Sequence, residues 1–101
     1  MTAIRWTEPA SDDLLGIVEW IGTRQPKAAE SVGRRILTAV EHLRDHPQRG
    51  RPGRSPDTRE LVIRGLPYLV VYSLVPDDPP TVNILRVLHG AMLWPPSLSS
   101  P

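Results

Sequence analysis

The run YLVVYSLV, residues 68–75, constrains the chain more than any other segment. It is rich in β-branched and aromatic residues, which fit a pleated strand better than a helix. It is also apolar at alternate positions on both sides, so a strand here has two faces to hide from water. The segment is therefore expected to be the central strand of a sheet that is covered on both sides. RELVIR at 59–64 comes before it across a GLP turn, and TVNILRVLH at 81–89 follows the loop tip PDDPP. These three segments read as consecutive antiparallel strands.

Upstream, the hydrophobic period is that of a helix. Ala10, Leu14, Ile17, Val18 and Ile21 form one stripe, and Ala29, Val32, Ile36, Val40 and Leu43 form a second. Both follow the three-to-four-residue spacing that buries one side of an α-helix. Thr7 is placed to cap the first helix, Pro9 fits its first turn, and Glu8, Asp12 and Asp13 put negative charge at the positive end of its dipole. Gly22 and the RQP segment end it, Pro26 opens the second helix, and Pro47 stops that one. A connector this short predicts an antiparallel hairpin of helices. With AIRWT at 3–7 as a first short strand, the order is β-α-α-β-β-β. This is an α+β domain with a helical hairpin packed on a small antiparallel sheet. The expected domain is residues 1–94, followed by a Pro/Ser-rich, mobile tail at 95–101.

Composition excludes several classes. The 101 residues contain no cysteine, which rules out disulfides, thiol nucleophiles and cysteine-held metals and suits the cytoplasm. No run approaches the roughly 18 apolar residues of a membrane span, and the N-terminus does not read as a signal peptide. Glycine-rich phosphate loops are missing, because GRPGR has the wrong spacing and precedes a strand rather than a helix. No serine sits in a GxSxG elbow. His42 and His46 are four apart on a helix but lack further ligands, so no metal or cofactor is expected. His89, at the end of the last strand, is either a general base or a histidine bound to the backbone.

Charge is the remaining signal. Net charge is only +1, yet eleven of the twelve basic side chains are arginine. Between residues 44 and 64, six arginines (44, 49, 51, 54, 59, 64) face three acids (45, 57, 60), so that region is net +3 and the remainder net −2. Such a region attracts RNA, DNA or an acidic protein segment. The bland alternative pairs Arg59 and Arg64 with helix acids and leaves Arg49, Arg51 and Arg54 solvated. Arg86 lies between apolar neighbours and is expected to share a face with Val82, Ile84 and Leu88. An acid such as Glu60, or the backbone, would satisfy it there.

Taken in order, PQRGRPGR, TRELVI, PYLVVYSL and VNILRVLHGAMLWP resemble the RelE/ParE superfamily of toxins from bacterial type II toxin–antitoxin modules. The resemblance runs through nearly the whole chain and implies the same β-α-α-β-β-β fold. It implies a toxin held inactive by a cognate antitoxin in a hetero-oligomer, with no membrane partner. It also implies one of two activities. RelE-like members cut mRNA on the ribosome with basic side chains on the sheet and a C-terminal tyrosine or histidine. ParE-like members bind DNA gyrase and do no chemistry.

Laid on the family pattern, the expected basic positions fall at Glu60, Val62 and Leu69, and the tail HGAMLWPPS has neither arginine nor tyrosine. The resemblance therefore leans to the gyrase-directed, non-enzymatic reading. For a ribosome-dependent endoribonuclease, the substitutes available are Arg51, Arg54, Arg64, Arg86 and His89. A third possibility is a degenerate toxin that only binds its antitoxin. Arg51, Arg54, Arg59 and Trp20 are the candidate antitoxin contacts, the arginines for acidic residues and Trp20, like Trp94, as core or interface anchor.

Overall fold

The computed structural model describes residues 2–90. The expected domain boundary at residue 94, Trp94 itself and the Pro/Ser-rich segment 95–101 lie outside the described residues. The elements are β1 (Ala3–Trp6), α1 (Glu8–Gly22), α2 (Pro26–Glu41) ending in a 3₁₀ turn (His42–Arg44), β2 (Arg51–Pro52), β3 (Thr58–Val62), β4 (Tyr68–Val75) and β5 (Thr81–His89). The sheet order is β1-β5-β4-β3-β2.

The first turn of α1 forms as its residues dictate. Thr7 has extended backbone angles, and its Oγ1 accepts from the Ala10 amide at 3.4 Å. The same hydroxyl donates to the Ile84 carbonyl at 2.7 Å, which ties the start of the helix to the end of the β1–β5 pairing. Pro26 opens α2 without any side-chain cap at Gln25. The two helices meet closely at Gly33, where a Cβ would lie 3.2 Å from Val18 Cγ2.

β4 is the centre of the sheet, as its two-sided apolarity predicts. Val70 and Tyr72 face the helices and join Ala10, Ile36, Val40, Leu43, Leu61, Val82, Ile84 and Val87 in the main core. Leu69 and Val71 point the other way and form a second buried cluster with Leu88.

Two features differ from the sequence expectation. The sheet is mixed: β1 runs parallel to β5, with Trp6 opposite Ile84. A parallel neighbour needs a long crossover, and here everything from α1 to β4 lies between the two strands. The segment read as a connector also contributes a fifth strand. Arg51 pairs with Glu60 and Pro52 with Arg59. An edge position tolerates Pro52, because its missing N–H would face outward.

A β-bulge sets the geometry of β5. Val71 pairs with Arg86 but Tyr72 pairs with Ile84, so Leu85 is the extra residue. A bulge shifts the alternation of side chains beyond it. Arg86 consequently falls on the face of Val71 and Leu88, not on that of Val82 and Ile84 as simple alternation predicts.

Candidate functional site

The face of the sheet turned away from the helices carries the charged groups in one cross-strand row. The pairings Arg51–Glu60, Glu60–Val71 and Val71–Arg86 run straight across four strands. With strands about 4.8 Å apart, Arg51 and Arg86 stand roughly 14 Å from each other. The next row is apolar and consists of Val62, Leu69 and Leu88. The three positions where the RelE pattern would carry basic groups, Glu60, Val62 and Leu69, all belong to these two rows.

Each arginine in the charged row ends on a carboxylate. Arg86 donates from Nε to Asp13 Oδ2 at 2.7 Å and from Nη2 to Oδ1 at 2.9 Å. Asp13 Oδ2 also accepts from the Val87 amide at 2.9 Å. The reason is local. β1 stops opposite Ile84, so the edge of β5 beyond it has no neighbouring strand. α1 returns over that edge and supplies Asp13 in place of one. The fork geometry holds the Arg86 guanidinium above its ordinary pKa, so it is charged at any working pH. The expected partner Glu60 is thus corrected to Asp13. The sequence carried a signal for this: Asp13 is three residues after Ala10 and four before Ile17, which sets an acid inside the apolar stripe of α1.

At the other end of the row, Arg51 donates from Nε and Nη2 to Glu60 Oε1 at 3.1 and 2.9 Å. Glu60 is only 3% exposed. Arg54 Nε lies 3.9 Å from its other oxygen, Oε2. Arg59 serves the backbone instead. Its Nη1 reaches the carbonyls of Gln48 at 3.2 Å and Gly50 at 2.8 Å, which fastens the loop before β2 to β3.

The same loop is pinned from the core side by Tyr72. The Gly50 amide donates to Tyr72 Oη at 2.8 Å, and the hydroxyl donates to the Pro47 carbonyl at 2.8 Å. A Cβ at Gly50 would sit 2.8 Å from the tyrosine ring, so only glycine fits that approach. Burial pushes the Tyr72 hydroxyl pKa up, and the Gly50 hydrogen bond and the Arg59 charge oppose that rise.

The remaining candidates lie elsewhere. His89 packs edge-on against Tyr68, with ring centroids 5.6 Å apart at 84°. The two rings line a cleft of about 470 Å³ on the helix side of the sheet, together with Asp12, Asp13 and Trp20. Arg64 sits in the β3–β4 turn, where its carbonyl accepts from Arg35 Nη2 at 2.5 Å. It borders a separate groove of about 440 Å³ along α2. Arg51, Arg54 and Arg86 therefore belong to one face of the sheet, His89 to the opposite face and Arg64 to a turn. Among the described residues no group of acids and histidines could hold a metal ion.

The helical hairpin exposes apolar surface. Trp20 is 62% exposed with the Arg24 guanidinium 4.4 Å from its ring centroid, and Leu15 and Leu37 are exposed as well. An open groove of about 700 Å³ along α2 is lined by Val18, Ala29, Gly33, Leu37 and Val40. Among the described residues no helix is long and apolar enough to cross a membrane.

Two helices on a mixed five-stranded sheet in this order define the RelE/ParE superfamily of toxins. The family described as ParE toxin of type II toxin–antitoxin system, parDE, matches residues 4–94, and the chain belongs to it. Protein Y4kP of Sinorhizobium fredii is 44% identical over 91% of this chain and 92% of its own length. Toxin RelE2 of Caulobacter vibrioides is 37% identical over 92% of this chain and 100% of its own. A chain in the structure of the chromosomal ParDE system of P. aeruginosa superimposes with a TM-score of 0.77 at 25% identity, covering 88% of this chain and 96% of that one.

Proposed function

We propose that this toxin acts by binding a protein target, DNA gyrase, in the cytoplasm, and that a cognate antitoxin neutralises it. The observation that carries the reading is the dispersal of the groups an RNA-cutting site would need. Cleavage through a 2′-hydroxyl needs a base, a leaving-group acid and positive charge on one phosphate. Here Arg51 and Arg86 are each committed to a carboxylate, and they flank Glu60 and Val71 rather than a basic cluster. His89, the candidate base, lines a cleft on the opposite side of the sheet. Losing a preorganised charge-stabilising group alone typically costs about 10²–10³ in rate.

The proposed antitoxin surface is the exposed apolar side of the hairpin, with Trp20 as anchor. Arg51, Arg54 and Arg59 are its proposed charged margin. Arg51 and Arg59 already spend donors on Glu60 and on backbone carbonyls, so the anchor is expected to contribute more than they do.

Induction of the toxin without its antitoxin tests the target. Filamentous cells with damaged DNA and intact mRNA are the expected result. Rapid mRNA cleavage in the ribosomal A site would establish the endonuclease reading instead, and normal growth would mark a degenerate toxin.

A further inference from the structure

Three residues of one cross-strand row, on the face of the sheet turned away from the helices, differ sharply in exposure. Leu88 on β5 is 1% exposed and Leu69 on β4 is 5% exposed, whereas Val62 on β3 is 54% exposed. Val71, in the next row of β4, is fully buried as well. Neighbouring strands shield the flanks of a side chain, but its tip stands roughly perpendicular to the sheet. Burial this complete therefore needs a cover from above. The cover must lie over β4 and β5 and stop short of β3.

Among the described residues no element supplies it. The helices pack on the opposite face, and the cluster of Leu69, Val71 and Leu88 is joined only by Leu85. Arg86 turns its guanidinium over the strand edge to Asp13, and Arg51 turns to Glu60.

The path of the chain points to an occupant. The Gly90 amide donates to the Pro67 carbonyl at 2.7 Å, so the chain leaves the sheet at this end of β4 and β5. Leu88 lies about 7 Å back along the strand from Gly90, and Leu69 lies one strand spacing, about 4.8 Å, to its side. Residues 91–94, if extended, reach up to roughly 14 Å, enough to return over both leucines. Residues 91–101 read AMLWPPSLSSP, without a charged side chain, and Met92, Leu93 and Trp94 are the bulkiest apolar run among them. Seating that run on Leu69 and Leu88 removes apolar surface of both partners from water. Pro95 and Pro96 follow at once and offer no backbone donor for continued strand pairing.

We propose that residues 92–94 fold back over Leu69 and Leu88 as a strap that closes this half of the sheet face. A partner reaches those leucines only by displacing Trp94. The strap is distinct from the proposed apolar contact on the hairpin and does not depend on what the toxin inhibits.

The test is a nuclear Overhauser experiment on the natural, full-length chain with leucine and valine methyl groups labelled, recorded at two protein concentrations. An isotope-filtered version on a mixture of labelled and unlabelled chains separates contacts within one chain from contacts between chains. The expected result is a set of contacts from the Trp94 ring to the Leu69 and Leu88 methyls, within one chain and unchanged on dilution, with none to Val62. Those methyls should show upfield ring-current shifts that are lost in Trp94→Leu, while the methyls of Leu43 and Val82 in the main core stay in place. A folded natural chain without contacts from Trp94 to Leu69 and Leu88 would overturn the proposal. Contacts that run only between chains would overturn it too, and would make the cover a second copy of the protein.

Discussion

Arg51 and Arg86 stand on the same cross-strand row, separated by Glu60 and Val71, and both guanidinium groups end on carboxylates of the same chain. Glu60 lies beside Arg51 in the sheet, whereas Asp13 comes from a helix that crosses the edge of β5. Neutralising the face thus involves both layers of the fold, and it explains how an arginine-rich chain can present so little uncommitted charge there.

Asp13 joins α1 to β5 through three hydrogen bonds, so Asp13→Ala should destabilise the protein by about 2 kcal/mol, less than a fully buried pair would lose. Urea denaturation measures this. A double-mutant cycle with Arg86→Ala should return a coupling energy well above that of a surface ion pair; a coupling near zero would contradict the arrangement.

Tyr72→Phe removes the hydroxyl that bridges Gly50 and Pro47 and should cost about 1–2 kcal/mol. The pH dependence has a definite sign. The folded-state pKa of Tyr72 is raised, so the neutral hydroxyl is favoured in the folded protein. Its contribution is fully present below the unfolded value of about 10 and is lost as pH rises above that value toward the folded one. Thermal melts between pH 8 and 11 should show stability falling above pH 10, with a shallower fall in Tyr72→Phe.

Gly50→Ala should be more disruptive than its size suggests. The added methyl carbon would meet the Tyr72 ring and hydroxyl at 2.8 Å, and the loop cannot retreat without breaking the Arg59 contacts. A loss of about 1–3 kcal/mol is expected in the same denaturation assay.

Much of this fold is legible in the sequence because local preferences agree. Thr7, Pro9, Pro26 and the two apolar stripes locate both helices, and YLVVYSLV announces a central strand by being apolar on both sides. What is not legible depends on contacts distant in sequence. The parallel pairing of β1 with β5 joins the two ends of the described chain. The two-residue strand at Arg51–Pro52 follows a loop that Arg59 and Tyr72 hold in place from β3 and β4. The bulge at Leu85 leaves no mark in the alternation of TVNILRVLH, so simple alternation puts Arg86 on the face of Val82 and Ile84 and away from Asp13. Asp13 pairs with a residue 73 positions away, and only its place inside a helical apolar stripe marks it in the sequence.

Trp20 distinguishes binding from folding. It is 62% exposed, so Trp20→Ala should change stability by no more than about 0.5 kcal/mol. If Trp20 anchors the antitoxin, the same substitution should weaken the complex at least tenfold, about 1.4 kcal/mol, in a calorimetric titration. An unchanged affinity would remove the hairpin from the interface.

The target is tested most directly with purified components: a DNA gyrase supercoiling assay beside a ribosome-bound mRNA cleavage assay, each with the toxin alone and with its antitoxin added. Inhibition of supercoiling at near-stoichiometric toxin, relieved by the antitoxin, with the mRNA left intact, is the predicted result. Uninhibited gyrase together with A-site cleavage of the mRNA would contradict it.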